Sequence, residues 1–207
     1  AWYNNTLSFK GLIDEVKIYP YARTNDQIEN EYKLNSAAVI GSGTLATPSA
    51  RPNDSIIAHW SFDEQKGQTA YDKYGSNNGT LGANSSLGSD DPTWKTTSNC
   101  KINGCLSFDG NDKVITSDSD SIRMNQDKSM SFSAWIKPNT TAGNNNIIRY
   151  DDYDNTDGDS PTTRNLYLFR IDNGQPRFAF GPASGLTSIF GSTTLTAGSW
   201  YHLVAVR

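Results

Sequence analysis

The chain has 207 residues, a formal net charge of −4, a pI near 5.1 and a mean hydropathy of −0.61, enough length for one sizeable core in an acidic, polar chain. No run approaches the roughly 18 consecutive apolar residues that a membrane helix needs, and 18 Lys plus Arg without a basic stripe leave no electrostatic footprint for nucleic acid. Ser, Thr, Asn and Gly supply 79 residues and Glu only four, which favours short strands and turns over long helices.

The opening at Ala1, with neither Met nor a signal-type segment, reads as a processed start or an internal piece of something longer. Residues 7 to 19 alternate so that Leu12, Val16 and Ile18 share one face with Asp14, a strand that Pro20 stops. Thr24-Asn-Asp-Gln27 makes a capping box for a short helix with Ile28 and Tyr32 on one face. Residues 36 to 55 shift to small residues with Gly and Pro punctuation, a linker that marks a domain boundary. From Ile56 the pattern is almost entirely β: 56–62, 106–110, 113–116, 130–137, 146–150, 165–171, 177–180 and 200–206 read as strands, with an Asn-Gly hairpin turn inside 172–176. Strands at this spacing without helices between them predict an all-β antiparallel sandwich or jelly roll and exclude a parallel α/β fold.

Cys100 and Cys105 flank a segment whose Asn103-Gly104 dipeptide favours a turn, so a local disulfide is expected. Two free thiols are the alternative. A zinc site lacks ligands, because His59 and His202 stand in strand-like runs far along the chain and read as sheet-surface or core residues. An oxidised pair points to an extracellular or cell-surface location.

His59-Trp-Ser-Phe-Asp-Glu64, Thr69-Ala-Tyr-Asp72, Gly75-Ser-Asn-Asn-Gly-Thr80, Cys105-Leu-Ser-Phe-Asp-Gly110, Ser131-Phe-Ser-Ala-Trp-Ile-Lys-Pro138 and Trp200-Tyr-His-Leu-Val204 follow one another along the chain. In that order they resemble the landmarks of laminin G-like modules in the concanavalin A-like lectin/glucanase superfamily. Phe9-Lys-Gly-Leu-Ile-Asp-Glu-Val-Lys-Ile-Tyr19 and the capped helix resemble the closing strand and exit helix of the same module. The resemblance covers residues 9–34 and 56–207 and implies a concanavalin A-like jelly roll. In that family the closing segment comes last, whereas here it comes first. Residues 1–35 therefore read as the end of one repeat, 36–55 as a linker, and 56–207 as a C-terminally incomplete module. A fragment of a tandem array, a circular permutant and a polymerising subunit whose first strand completes a neighbour are the three arrangements that fit.

Hard oxygen donors at two strand ends and a Gly-rich loop, Asp14, Glu15, Asp63, Glu64, Asp72 and Asn78, suit a structural Ca²⁺, which the resemblance also implies; solvated or turn-capping carboxylates are the plainer alternative. The acidic run from Asp151 to Asp159 breaks EF-hand spacing. It reads as a solvated loop, or as one that grips an ion or polar ligand through Asp152, Asp154 and Asp157 beside the aromatic platforms Tyr150, Tyr153 and Tyr167, with Trp94 a further platform. The Glu-x-Asp-x-Glu strand motif of the glucanases that the resemblance brings to mind is absent, and no Ser/His/Asp arrangement stands out, so a non-enzyme is expected. The expected function is non-catalytic binding or adhesion in a secreted or surface repeat protein, with glycan or an extracellular protein as partner. Self-association through the N-terminal strand as a filament or surface-layer subunit, and an accessory domain of a glycosidase, are the alternatives.

Overall fold

The computed structural model describes residues 8–34, 56–123, 129–151, 165–182 and 185–207. Its elements in chain order are β1 (Lys10–Tyr19), α1 (Asn25–Leu34), β2 (Ala58–Trp60), β3 (Thr69–Ala70), β4 (Gly79–Leu81), β5 (Thr93–Lys95) and β6 (Cys105–Asp109). They continue with β7 (Val114–Thr116), β8 (Ser131–Pro138), β9 (Asn144–Asp151), β10 (Asn165–Asp172), β11 (Gln175–Pro182), β12 (Thr187–Phe190) and β13 (Tyr201–Val206). All the ladders between these strands are antiparallel. One sheet runs β13-β8-β1-β6-β5 with β2 also beside β1, a second β12-β11-β10-β9, and a small third β3-β4-β7.

The two large sheets close on one apolar core. Ile13, Val16, Ile18, Phe132, Ala134 and Ile136 come from the first, and Tyr167, Phe169, Ile171 and Phe178 from the second. Phe132 reaches across, its ring 4.8 Å from Tyr167 and 5.4 Å from Phe178. Burying such rings is the main driving term of a sandwich. The fold is therefore the β-sandwich that the alternating runs predict.

β1 is central rather than peripheral. One edge pairs with β8, while the other pairs with β6 along its first half and β2 along its second. The strand before residues 36–55 and the strands after them thus build a single sheet; the spacer itself lies outside the described residues.

The face assignment within β1 needs correction. Leu12 is half-buried, Asp14 turns away from the core, and Ile13, Val16 and Ile18 point into it. The cause is a bulge between Asp14 and Lys17, where Glu15 takes a φ of 53° and the register against β8 shifts. One extra residue restores the alternation with the opposite phase, so strict period-two counting fails at that point.

Local signals elsewhere hold. Gln27 Oε1 accepts from Thr24 N at 2.9 Å and Thr24 Oγ1 from Gln27 N at 3.4 Å, closing the capping box of α1. Asn173 and Gly174 both have positive φ, 47° and 90°, between the paired residues Asp172 and Gln175, the turn that suits a two-residue hairpin. The Cys100–Cys105 disulfide is formed, with Cα atoms 5.4 Å apart.

Candidate functional site

The outer face of the large sheet carries chemistry that a core cannot hold. Asp14, Glu15, Lys17 and Tyr19 leave β1 on that side, Ser131, Ser133 and Trp135 leave β8, and α1 covers Lys17, Tyr19, Ser133 and Trp135. Glu31 is the residue that α1 sends down. Its carboxylate accepts from Lys17 Nζ at 3.0 Å, Ser133 Oγ at 3.2 Å and the Arg23 guanidinium, with His202 Nε2 3.8 Å away. Burial alone would push the Glu31 pKa up, yet His202, Lys17 and Arg23 hold it well below the usual carboxylate range. Lys17 also bridges to Glu15 at 3.0 Å, and Glu15 meets His59 Nε2 at 2.9 Å. Burial works against both charges, but His59 and Lys17 lower the Glu15 pKa, and Glu31 and Glu15 raise that of Lys17.

Beside this face, the six residues expected to hold calcium gather at one corner, each already serving the fold. Asp14 Oδ2 accepts the amides of Lys101 and Ile102 in the disulfide loop at 3.1 and 2.8 Å. Asp63 takes Lys73 Nζ and the Gly104 amide, and Glu64 the Tyr71 amide. Asp72 accepts from the amides of His59, Tyr74 and Asn77 and from Asn77 Nδ2, and Asn78 Oδ1 from the Asp72 amide. Asp14 Oδ1 and Glu64 Oε2 remain without a hydrogen bond. Burial, with help from the Glu15 and Asp63 carboxylates, pushes the Asp14 pKa up to about 8 against the pull of the Ile102 and Lys101 amides. Among the described residues no group of three or more His, Cys, Asp or Glu is arranged around a common ion position. Without such a grouping these residues, as placed, do not form the shell of six to eight oxygens that calcium takes.

The aromatic platforms fall differently from expectation. Tyr167 is only 2 % exposed, packs under Phe132 and donates its hydroxyl to Ile122 O, so it is core and not a ligand platform. Tyr150 stacks on it at 5.1 Å and donates to Asp118, and half-buried Trp94 donates to Gly67 O. Tyr153 and the carboxylates Asp152, Asp154 and Asp157 lie outside the described residues. Among the described residues the most open tyrosine rings are instead Tyr71 and Tyr74, 56 % and 66 % exposed, on the loop that Asp72 pins. Tyr74 leans on His59 at 5.9 Å, and the Asp63–Lys73 pair sits close by. The sequence signal was available: two tyrosines three apart, between turn residues and outside any alternating run, belong to a loop and not to a core.

Residues 108–207 match a laminin G family model of the concanavalin A-like lectin/glucanases superfamily. Neither the curated proteins nor the solved structures contain a match to the chain. The matched segment begins within β6 and contains β7 to β13, hence the whole second sheet but only β8 and β13 of the six strands of the first. No helix among the described residues is long and apolar enough to cross a membrane.

Proposed function

We propose that this laminin G-like chain is a non-catalytic recognition module of a secreted or cell-surface protein, with a glycan as its first-choice ligand. The observation that carries the reading is the Tyr71/Tyr74 pair, two open rings on a loop fixed by the four hydrogen bonds that Asp72 accepts. A rigid aromatic face buries the apolar side of a sugar ring at little conformational cost. The adjacent half-exposed Lys73 ammonium, which gives one of its hydrogens to Asp63, keeps donors for hydroxyl groups. The disulfide supports an oxidising compartment. Non-catalysis is supported by the glutamates, since Glu15 and Glu31 are committed to buried ion pairs, Glu29 pairs with Lys33 on the helix surface, and Glu64 caps a loop amide.

Glycan-array screening of the chain tests this directly, followed by calorimetry on any hit. Tyr74→Ala is expected to weaken binding about tenfold or more, roughly 1.4 kcal/mol, with an unchanged melting point because the ring is open to solvent. Array silence, or wild-type affinity in both Tyr71→Ala and Tyr74→Ala, would remove the proposal.

No step of this reading runs through calcium. With the carboxylates occupied by protein donors, EDTA is expected to leave the thermal midpoint unchanged. A midpoint that climbs with added Ca²⁺ would reinstate the ion, since a ligand bound only by the folded state raises stability by mass action.

A further inference from the structure

We infer that β1 and α1, residues 8–34, form a unit that two copies of this chain can exchange, each copy's β1 filling the slot between β8 and the β6/β2 edge of the other. The inference is independent of the glycan reading. It rests on how this segment is seated and how it is tethered.

The seat is a slot with two walls. β1 is hydrogen-bonded along both edges, and its Ile13, Val16 and Ile18 complete the core between the large sheets. Withdrawing it exposes two strand edges and an open apolar face, which is the condition that invites pairing with another chain. Only a segment of the same pattern and the same bulge refills it.

The unit also carries its own charge balance. Glu31 of α1 is paired with Lys17 and Arg23 of the same segment, so the ion pairs that join strand to helix move with the unit, while Asp14 and Glu15 find further partners in the body. On arrival it meets fixed partners in the body. Ser131 Oγ accepts from Arg23 N and donates to Tyr21 O, Trp135 stacks under Tyr32, His59 meets Glu15, and the disulfide loop amides receive Asp14.

The tether is residues 35–55, rich in Ser, Ala, Gly and Pro and without an apolar period. Such a length of chain reaches up to roughly 70 Å when extended, more than the width of a domain of this size. Contacts made with a chain's own body and with a second copy's body are then the same contacts. Their populations differ only through tether and association entropy, so exchange grows as concentration approaches the millimolar effective concentration of a tethered unit. Because a central strand must leave before another enters, closed monomer and exchanged dimer interconvert only through unfolding.

The test uses the full chain twice. Lys10 and Asp109 are exposed cross-strand partners of β1 and β6. Chain carrying Lys10→Cys is mixed with chain carrying Asp109→Cys, the mixture is unfolded, refolded at about 10 µM or about 1 mM, and oxidised. A covalent heterodimer that forms at the higher concentration, and not when Asp109→Cys is replaced by Asp120→Cys, is the expected result. Wild-type chain refolded in the same way is expected to give a dimer by light scattering that survives dilution. Monomer at every concentration overturns the inference. So does a dimer with no 10–109 cross-link above the Asp120 control, which places association on another surface.

Discussion

Replacing Glu31 by alanine is expected to cost about 3–5 kcal/mol, the range for breaking a buried ion pair from one side. For a domain of this length that corresponds to a fall in thermal midpoint of roughly 6–20 °C. Glu31 is 8 % exposed, and its carboxylate is the shared anion of Lys17 and Arg23, with Tyr19 OH and Ser133 Oγ completing its shell. Alanine leaves two cations facing each other beneath α1 with only Glu15 to answer Lys17. Glu31→Gln keeps the volume and separates charge from packing. The pH dependence follows from the depressed pKa of Glu31: its carboxylate contributes in full above the usual carboxylate range and loses that contribution as pH falls below about 4. Wild type should therefore lose its advantage over Glu31→Gln progressively as pH falls below about 5, measured as paired urea transitions along a pH series. A Glu31→Ala variant within 1 kcal/mol of wild type, or an advantage that grows in acid, would show that the cluster does not hold the helix down.

That cluster marks where the sequence stops being legible. The capping box, the Asn-Gly hairpin and the cysteine pair are local signals, each closed within a few residues, and each appears in the fold as read. Two kinds of information are not local. The bulge at Glu15 is a property of β1 against β8, and it turns Asp14 out of the core set and brings Ile13 in. A period count along β1 alone cannot detect it. Burial of polar residues is the other. Ser131, Ser133 and Trp135 lie on the side of β8 opposite Phe132 and Ala134, yet all three are at most 2 % exposed, because α1 and the segment leading into it cover that side. The candidate site suffered from the same gap. Asp14, Asp63, Glu64, Asp72 and Asn78 do converge on one corner, but their oxygens face backbone amides of the disulfide loop and of the 71–78 loop, which no spacing rule encodes. Tyr167 looked like a loop-flanking platform because the loop beside it is polar, whereas its position on β10 opposite Phe132 decides its burial.

Phe132→Ala is expected to destabilise the chain by about 3–5 kcal/mol, as large aromatic truncations in a packed core do. The residue has no exposure, and its ring is the nearest bridge from the first sheet to both Tyr167 and Phe178 of the second. The cavity cannot collapse easily, because β8 is held by β1 on one edge and β13 on the other, with Phe132 directly opposite Ile18 and Ala205. Phe132→Leu fills most of the space and should cost less, about 1–2 kcal/mol. The informative contrast is Phe190→Ala, since that ring is half exposed on the edge strand β12 and makes its described ring contact with Arg177 rather than with the core. Its loss is expected to stay within about 0.5 kcal/mol. Denaturant titrations of the three variants check the order. If Phe132→Ala and Phe190→Ala unfold at the same midpoint, the two sheets are not joined through β8, and the sandwich described here is wrong at its centre.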